Sequence, residues 1–293
     1  MTSVHDLIPT KAIGEELKTG SVELQSPLNL QLRQLQLIVV AFHPGEAEVA
    51  ELKSSLASLP LTIGYSIVSN DHRPNEPVES LAESADLFLP QECNLGYGRA
   101  VNLAVQELRQ RGLLSPFLGA LNTDLRWETG SLKRLLAWLQ CHPEVVLAVP
   151  RICDPSGNIQ SLCKRDPTVL ALISRRFIPR WIKPCWLRRY DSCYVMAECD
   201  YEAVLDVPYL SGCCMLMRSK AFEQVGGFDE DFFLYLEDAD LTRQMRAKGR
   251  TVHLPVASVI HTWGRGNHRS WRLTLVNLKS AWIYFRKWGF SLW

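Results

Sequence analysis

The densest group of acidic and aromatic residues lies at residues 228–243, which read Phe-Asp-Glu-Asp-Phe-Phe-Leu-Tyr-Leu-Glu-Asp-Ala-Asp-Leu-Thr-Arg. Glu237, Asp238 and Asp240 open a predicted helix that ends near residue 248, and acidic side chains in a first turn complement the helix dipole. Carboxylates enclosed by apolar side chains are costly to desolvate without partners. One of them, held near an acceptor hydroxyl, could act as a general base. The residues fit the structural and the catalytic interpretation equally well.

Asp124 is a candidate metal ligand, because it directly follows an apolar predicted strand in Asn122-Thr123-Asp124. A hard divalent cation prefers carboxylate oxygens and bridges the phosphates of a nucleoside diphosphate. The same triplet is typical of a turn or a helix N-cap, which these residues alone favour. His261 also follows an apolar strand. A lone histidine there is more often structural, and it becomes a metal ligand only if the fold brings it to Asp124.

A glycine-containing loop, residues 94–102, precedes a predicted helix. Gly96 and Gly98 would let the backbone approach a ligand, the helix N-terminus favours anions, and Arg99 would add positive charge near a phosphate. A plain turn explains the loop equally well. The full dinucleotide-binding fingerprint GxGxxG is missing, so this loop does not predict a Rossmann cofactor site.

Basic and aromatic residues alternate between Lys164 and Tyr190, and residues 271–288 form a predicted amphipathic helix. The first pattern suits nucleic acid, a phosphorylated lipid head group or a membrane interface, or else an exposed loop with packed aromatics. In the helix, packing against the domain is the commoner explanation and contact with a membrane interface the more specific one. Its apolar stripe and basic flank comprise Leu275, Leu278, Trp282, Phe285, Arg272, Lys279 and Arg286.

The elements that must position these residues alternate between strand and helix. Buried strands are predicted at residues 35–42, 62–68, 87–89, 116–121 and 145–149, and helices at 46–59, 78–85, 98–108 and 130–139. This alternation predicts an α/β fold with parallel strands, whose ligands lie beyond the carboxyl ends of the strands. After residue 150 the pattern becomes mixed.

The charge, the apolar segments and the cysteine spacing of the chain limit the classes of function that we expect. A net charge of +1 gives no global indication of nucleic-acid binding. No secretory signal or membrane span is expected. None of the nine cysteines forms a CxxC pair, so neither a zinc site nor a disulfide framework is indicated. We expect reduced thiols in a cytoplasmic protein.

The order of the segments is more specific than any one of them. Asn-x-Gly-Tyr-Gly, Asn-Thr-Asp, Ser-Gly-Cys-Cys-Met-Leu, Gly-Gly-Phe-Asp-Glu-x-Phe-Phe-Leu-Tyr-x-Glu-Asp-x-Asp-Leu and Val-Ile-His-x-x-Gly follow one another. Residues 35–268 thereby resemble the family 2 glycosyltransferases, in particular their rhamnosyltransferase-like branch. The resemblance implies a GT-A fold, in which a Rossmann-like nucleotide-binding half with a mostly parallel central sheet is fused to a mixed acceptor-binding half. Residues 1–34 would be an N-terminal extension and residues 269–293 a C-terminal amphipathic helix.

The resemblance also implies site residues. Asp124 and His261 would bind Mn²⁺ or Mg²⁺, Asp238 beside Glu237 would be the catalytic base, and the acceptor site would involve Ser211, Gly212 and Glu237. The donor site would comprise Ala41, Phe42, His43, Ser69, Asn70, Asp71, Asn94, Gly96, Gly98, Arg99, Asn122 and Asp124. The family usually has Thr-Tyr-Asn at the first strand end and Asp-Asn at the second. Here Ser69 replaces the aspartate that binds the base, and Asp71 is the nearest carboxylate.

The implied reaction is inverting transfer of a sugar to a saccharide or polyprenyl-diphosphate-linked acceptor in cell-surface polysaccharide synthesis. The nearest branch implies L-rhamnose from dTDP-rhamnose, and UDP-sugars are the alternative donors. The enzyme would be cytoplasmic and peripheral at the inner face of the plasma membrane, with no nucleic-acid partner. The alternative is a non-catalytic module that binds a nucleotide-sugar or glycan. The altered strand ends favour this alternative, and the intact Glu237-Asp238 pair disfavours it.

Overall fold

A computed structural model describes residues 33–262 and 271–293. Residues 1–32 of the predicted extension, and the predicted boundary at residues 268–269, lie outside the described residues. No helix in the described ranges is long and apolar enough to cross a membrane. All nine cysteines are free thiols, and four of them, including Cys213 and Cys214, are buried.

The first half of the domain is a parallel sheet with crossover helices, as predicted. The third, second, first and fourth strands of the chain lie side by side in that order, and all pair in parallel. Their near-continuous apolar sequences fit a sheet that is covered on both faces. The elements are β1 (Leu35–Ala41), α1 (Glu46–Ala57), β2 (Ile63–Ser69), a 3₁₀ helix (Pro77–Ser84), β3 (Leu87–Pro90), α2 (Tyr97–Gln110) and β4 (Phe117–Asn122).

The second half continues the same sheet with mixed strand directions. Strand β8 (Cys214–Arg218) inserts antiparallel between β4 and β6 (Val145–Cys153). Strand β9 (Arg250–His261) pairs in parallel with β6, and the short strands β5 (Leu125–Trp127) and β7 (Leu205–Asp206) run antiparallel to β9. Six of the nine strands in the described residues share one direction, which confirms the mostly parallel sheet.

Helices pack over this half, and they include the basic-aromatic stretch and the acidic segment at Glu237. The basic-aromatic stretch is largely helical, and the helix predicted to begin at Glu237 does begin there. The helices are α3 (Ser131–Cys141), α4 (Val169–Phe177), a 3₁₀ turn (Arg180–Ile182), α5 (Cys185–Tyr194), α6 (Ser219–Val225), α7 (Glu237–Arg246) and α8 (Trp271–Trp288).

Two features of strand pairing assemble the candidate site. Because β8 runs antiparallel to β4, the residues before β8 reach the carboxyl end of β4, where the Asn122 amide donates to the Cys213 carbonyl over 3.0 Å. The antiparallel pairing of β5 with β9 places Leu125 opposite His261. A small apolar cluster that includes Tyr209, Leu236 and Tyr284 packs α8 against the start of α7.

Candidate active site

A cleft of about 1080 Å³ collects predicted residues from both halves of the domain. It lies where β4 ends, where β5 meets β9 and where α7 begins. The predicted residues that line it are Asn122, Asp124, Ser211, Gly212, Glu237, Asp238 and His261. Residues expected to contact donor, metal and acceptor thus share one cavity.

Asp124 and His261 form a pair, with Asp124 Oδ2 3.1 Å from His261 Nε2. Gln160 Oε1 lies 3.2 Å from His261 Nδ1, and the Gln160 amide donates to the His261 carbonyl, so the ring is held in orientation. Asp124 Oδ1 is buried and accepts no hydrogen bond among the described residues. A carboxylate oxygen without a partner beside an imidazole nitrogen fits a divalent cation.

The described residues contain no group of three or more His, Cys, Asp or Glu side chains that could hold a metal ion. Asp124 and His261 would therefore supply two ligands, and substrate phosphates and water would have to supply the others. This arrangement is typical of cations that bind together with a nucleotide rather than in a closed protein cage.

Asp238 is fixed by three hydrogen bonds. Its Oδ2 accepts from the Gly212 amide over 2.9 Å, and its Oδ1 accepts from the Tyr209 hydroxyl over 3.0 Å and from the Ala239 amide over 2.9 Å. Gly212 packs closely here, since a Cβ on it would lie 3.1 Å from Asp238 Cβ and would press on this side chain. Donors on both oxygens suit an ionised carboxylate, so the geometry orients a base.

Glu237 is adjacent but differs chemically. It is 6% exposed, and its Oε2 has no hydrogen-bond partner among the described residues. Burial, followed by the neighbouring Asp238 charge, raises the pKa of Glu237 to about 8, while Lys164 opposes this shift. Burial thus favours the protonated form of Glu237, in which the side chain can donate a hydrogen bond.

A strained turn presents this pair to the cleft. Tyr235 and Leu236 both have positive φ, 71° and 65°, in the left-handed region that non-glycine residues rarely adopt. Leu236 precedes the first residue of α7 and packs with Tyr284 and Phe285. Such strain persists only where surrounding packing enforces it, and it is concentrated at functional sites.

Sequence reasoning missed several residues that line the cleft. The Tyr97 hydroxyl donates to the Gly212 carbonyl over 2.7 Å, and Lys164 Nζ lies 4.2 Å from the centroid of the Tyr209 ring. The positions of Tyr97 within Asn-x-Gly-Tyr-Gly and of Tyr209 just before Ser-Gly-Cys-Cys were signals that could have identified them. Lys164, Arg175 and Arg176 carried only the signal of a basic stretch.

The first two strand ends contribute none of the described residues that line this cleft. Ala41 is buried, whereas Phe42 is exposed. His43 contacts Glu76 and, over 2.9 Å, Asp71. The hydrogen bond to Glu76 and, more weakly, the one to Asp71 raise the pKa of His43 against the effect of burial. His43 and Asp71 therefore belong, with Glu76, to a charged cluster that does not line this cleft.

The side chains of Ser69 and Asn70 both form hydrogen bonds with neighbouring residues. Ser69 Oγ lies 3.0 Å from His72 Nδ1 and hydrogen-bonds to it. The Asn70 side chain donates to the Gly96 carbonyl over 3.3 Å and accepts from the Leu95 amide over 3.2 Å, so it anchors the glycine loop.

The glycine loop packs tightly against the segment before α7. A Cβ on Gly96 would lie 2.2 Å from the Phe233 carbonyl oxygen, and one on Gly98 would lie 2.8 Å from Phe228 Cβ. Asn94 Oδ1 accepts from the Gly96 amide over 2.9 Å. Arg99 Nε donates to the Glu230 carbonyl over 2.9 Å, and Arg99 does not line the cleft. The loop joins the two halves of the domain.

Comparison with known proteins supports the predicted resemblance. No protein-family model matches the chain. The chain is similar to N-acetylglucosaminyl-diphospho-decaprenol L-rhamnosyltransferase of Mycobacterium tuberculosis, with 28% identity over 271 residues that cover 85% of this chain and 86% of the relative. The resemblance to glycosyltransferases, and among them to rhamnosyltransferases, is thus confirmed.

Solved structures agree on the fold. GalNAc-T7 with UDP, GalNAc and Mn²⁺ superposes with a TM-score of 0.61 at 12% identity, over 87% of this chain and 48% of that protein. The mannosyltransferase PcManGT of Pyrobaculum calidifontis, in complex with GDP-Man and Mn²⁺, gives 0.55 at 15% identity, over 87% of this chain and 63% of that protein. The chain thus spans about half the length of the first protein and less than two thirds of the second. It has the GT-A fold of glycosyltransferases.

Proposed function

We propose that this GT-A chain is a metal-dependent, inverting glycosyltransferase. The observation that supports this best is the triply hydrogen-bonded Asp238 in the same cleft as the Asp124–His261 pair. One group is suited to remove a proton, and the other to bind a cation that accompanies a diphosphate.

In this proposal Asp124 and His261 would hold Mn²⁺ or Mg²⁺, which would supply positive charge to the departing nucleoside diphosphate. Asp238 removes the proton from an acceptor hydroxyl, and the oxygen attacks the anomeric carbon from the face opposite the leaving group. The carbon–oxygen bond to the diphosphate breaks as the new glycosidic bond forms, so the configuration inverts. Glu237, which lines the same cleft, would in its protonated form donate a hydrogen bond to a sugar hydroxyl.

The proposed substrates follow the similar mycobacterial protein, whose name specifies L-rhamnose and a lipid-linked acceptor. We assign dTDP-rhamnose as donor and a saccharide on a polyprenyl diphosphate as acceptor, for cell-surface polysaccharide synthesis. The protein would work in the cytoplasm at the inner face of the plasma membrane. The exposed aromatic and basic side chains of α8 support this peripheral contact.

The second candidate function, a non-catalytic nucleotide-sugar or glycan-binding module, is favoured by one observation. The Ser69 hydroxyl stands where the related enzymes usually have an aspartate, and it is already hydrogen-bonded to His72. Base recognition in that case would be too weak to support turnover, although a glycan could still enter the cleft.

The test is a panel of nucleotide-sugars supplied with acceptor and Mn²⁺ or Mg²⁺, with and without EDTA, following product and free nucleoside diphosphate. We expect EDTA-sensitive transfer from a single donor, with loss of transfer in Asp238→Asn. Binding of nucleotide or glycan without transfer from any donor would support the second candidate. Transfer that is indifferent to EDTA would contradict the metal assignment.

A further inference from the structure

Two adjacent arginines line the cleft in a place that the proposed reaction does not use. Arg175 and Arg176 lie on α4, where Ala171 and Ser174 form the buried face and Leu172 also faces the cleft. Arg176 Nη2 donates to Thr274 Oγ1 on α8 over 2.6 Å, and the Arg175 guanidinium lies 5.8 Å from the Tyr194 ring. Among the described residues, neither arginine forms an ion pair with a carboxylate.

A third cation lies deeper in the cleft. Lys164 sits over the ring of Tyr209, whose hydroxyl donates to Asp238. Burial lowers the pKa of Lys164, the charge of Asp238 opposes this, and Arg175 adds to the lowering. The cations therefore run from the proposed base outward to α4. The pair proposed for the donor diphosphate lies instead at the junction of β5 and β9.

The outer end of this cationic row meets exposed apolar surface. Ile173 and Phe177 on α4 are 46% and 51% exposed, and they lie three residues before and one residue after Arg176. On α8, Asn277 lines the cleft and the adjacent Leu278 is 48% exposed. The hydrogen bond between Arg176 and Thr274 brings the two helices together here. Polar cleft and apolar surface are thus contiguous.

We infer that Arg175 and Arg176 form a subsite for the diphosphate of a lipid-linked acceptor, whose hydrocarbon chain leaves over Ile173, Phe177 and Leu278. This inference rests on the proposed function and names the residues that recognise its acceptor. A guanidinium binds phosphate oxygens through two parallel hydrogen bonds, and two adjacent guanidiniums match the two phosphates of a diphosphate. The sugar on that diphosphate would then lie inward, towards Lys164 and Asp238.

The test is a binding comparison that needs no turnover. Two ligands with the same sugar and the same short alkyl chain are titrated into the full chain: GlcNAc joined to decyl alcohol through a diphosphate, and the plain decyl glycoside of GlcNAc. Mn²⁺ and a nucleoside diphosphate are held at saturation. Arg175→Gln and Arg176→Gln are compared with Arg189→Gln, which changes an exposed arginine of α5 outside the cleft. Circular dichroism checks the fold of each variant.

We expect wild type and Arg189→Gln to bind the diphosphate ligand about tenfold to a hundredfold more tightly than the glycoside, as charge-assisted hydrogen bonds allow. Arg175→Gln and Arg176→Gln should lose most of this preference without changing glycoside binding, and lysine at either position should restore part of it. Equal binding of both ligands by wild type, or an undiminished preference in both glutamine variants, would overturn the inference. A separate titration of the nucleoside diphosphate with Mn²⁺ tests the proposed donor site, so the two failures are distinguishable.

Discussion

At the residue scale, Asp238 and Asp240 stand two positions apart on α7 and contact different kinds of group. Asp238 lines the cleft, whereas Asp240 is fully buried. Asp240 accepts from Lys287 Nζ over 2.9 Å and from Trp288 Nε1 over 2.6 Å. Asp240 therefore joins α7 to α8, and its charge is compensated inside the protein. Of these two aspartates, only Asp238 lies in the cleft.

This contrast predicts that aspartate-to-asparagine substitution impairs transfer at position 238 and stability at position 240. Asp238→Asn should lower transfer by about a thousandfold or more, because an amide is not basic and offers one acceptor oxygen where the carboxylate offers two. Nucleotide binding should persist. Steady-state transfer and nucleotide titration measure the two effects.

Asp240→Asn is the matched control on the same helix. It should lower the free energy of unfolding by about 1 to 2 kcal/mol, because the hydrogen bonds from Lys287 and Trp288 lose their charged acceptor, while Lys287 keeps its ion pair with Asp229. Transfer per folded molecule should stay near wild type. If Asp240→Asn lost as much transfer as Asp238→Asn, the loss would come from displacement of α7 and not from removal of the Asp238 carboxylate.

Glu237 makes stability depend on pH in a definite direction. Its pKa of about 8 in the folded protein lies above the ordinary 4.5. Between these values the folded chain keeps a proton that the unfolded chain has released, so the free energy of unfolding falls as pH rises from about 5 to 8. Glu237→Gln removes this pH dependence of stability, since the amide cannot ionise. Urea unfolding across this range should show the variant gaining stability relative to wild type with rising pH, and a constant difference would contradict the assignment.

At the element scale, the glycine loop positions α2 against the segment that precedes α7. The Tyr97 amide donates to the Phe233 carbonyl over 3.3 Å, and Gly96 has φ 83°. Gly96→Ala should destabilise the protein by more than about 2 kcal/mol, because the methyl group meets backbone and the left-handed conformation is disfavoured. Gly45→Ala is the control, since a Cβ there has no neighbour within 4 Å. Thermal unfolding that is similar in the two variants would disprove this packing role.

The pairing of β5 with β9 brings Asp124 to His261, and this contact leads to a prediction about metal binding. Asp124→Asn should raise the Mn²⁺ concentration needed for half-maximal nucleotide binding by at least about tenfold, because a neutral amide is a poorer ligand than a carboxylate. Asp154→Asn is the comparison, since Asp154 also lines the cleft but caps its own turn by accepting from the Ser156 and Asn158 amides. Equal Mn²⁺ dependence in the two variants would count against Asp124 as a ligand.

At the scale of the whole molecule, exposed apolar side chains are concentrated in two segments of the described chain. Of the 17 large apolar residues that are exposed within the described ranges, 12 lie in residues 173–186 and 271–293. Basic residues accompany them, and the Arg286 guanidinium lies 5.1 Å from the Trp282 ring. Aromatic and basic side chains together are typical of contact with anionic membrane surfaces.

This distribution predicts binding to vesicles of phosphatidylcholine and phosphatidylglycerol. Trp282→Glu should weaken binding by about tenfold or more, because a large apolar side chain is lost from the interface and a negative charge is added. Leu61→Glu, which changes an exposed apolar residue before β2, should leave binding unchanged. Sedimentation with vesicles measures both, and equal weakening would argue against α8 as the membrane-facing element.

The sequence by itself determined the parallel half of the sheet, the start of α7 and the resemblance to glycosyltransferases. Apolar periodicity and strand-stop residues are local, so β1 to β4 and their helices could be predicted without tertiary information. The rule that ligands lie at the carboxyl ends of parallel strands likewise identified Asn122 and Asp124, which line the cleft.

Only the tertiary structure decided which of the predicted residues meet. Asp124 reaches His261 because β5 pairs with β9, and Asp238 is held by Gly212 and Tyr209 because β8 runs antiparallel beside β4. The same structure directs Arg99 to Glu230. Strand order, strand direction and side-chain direction depend on contacts between segments far apart in the chain, and such contacts leave no periodic signal in the sequence.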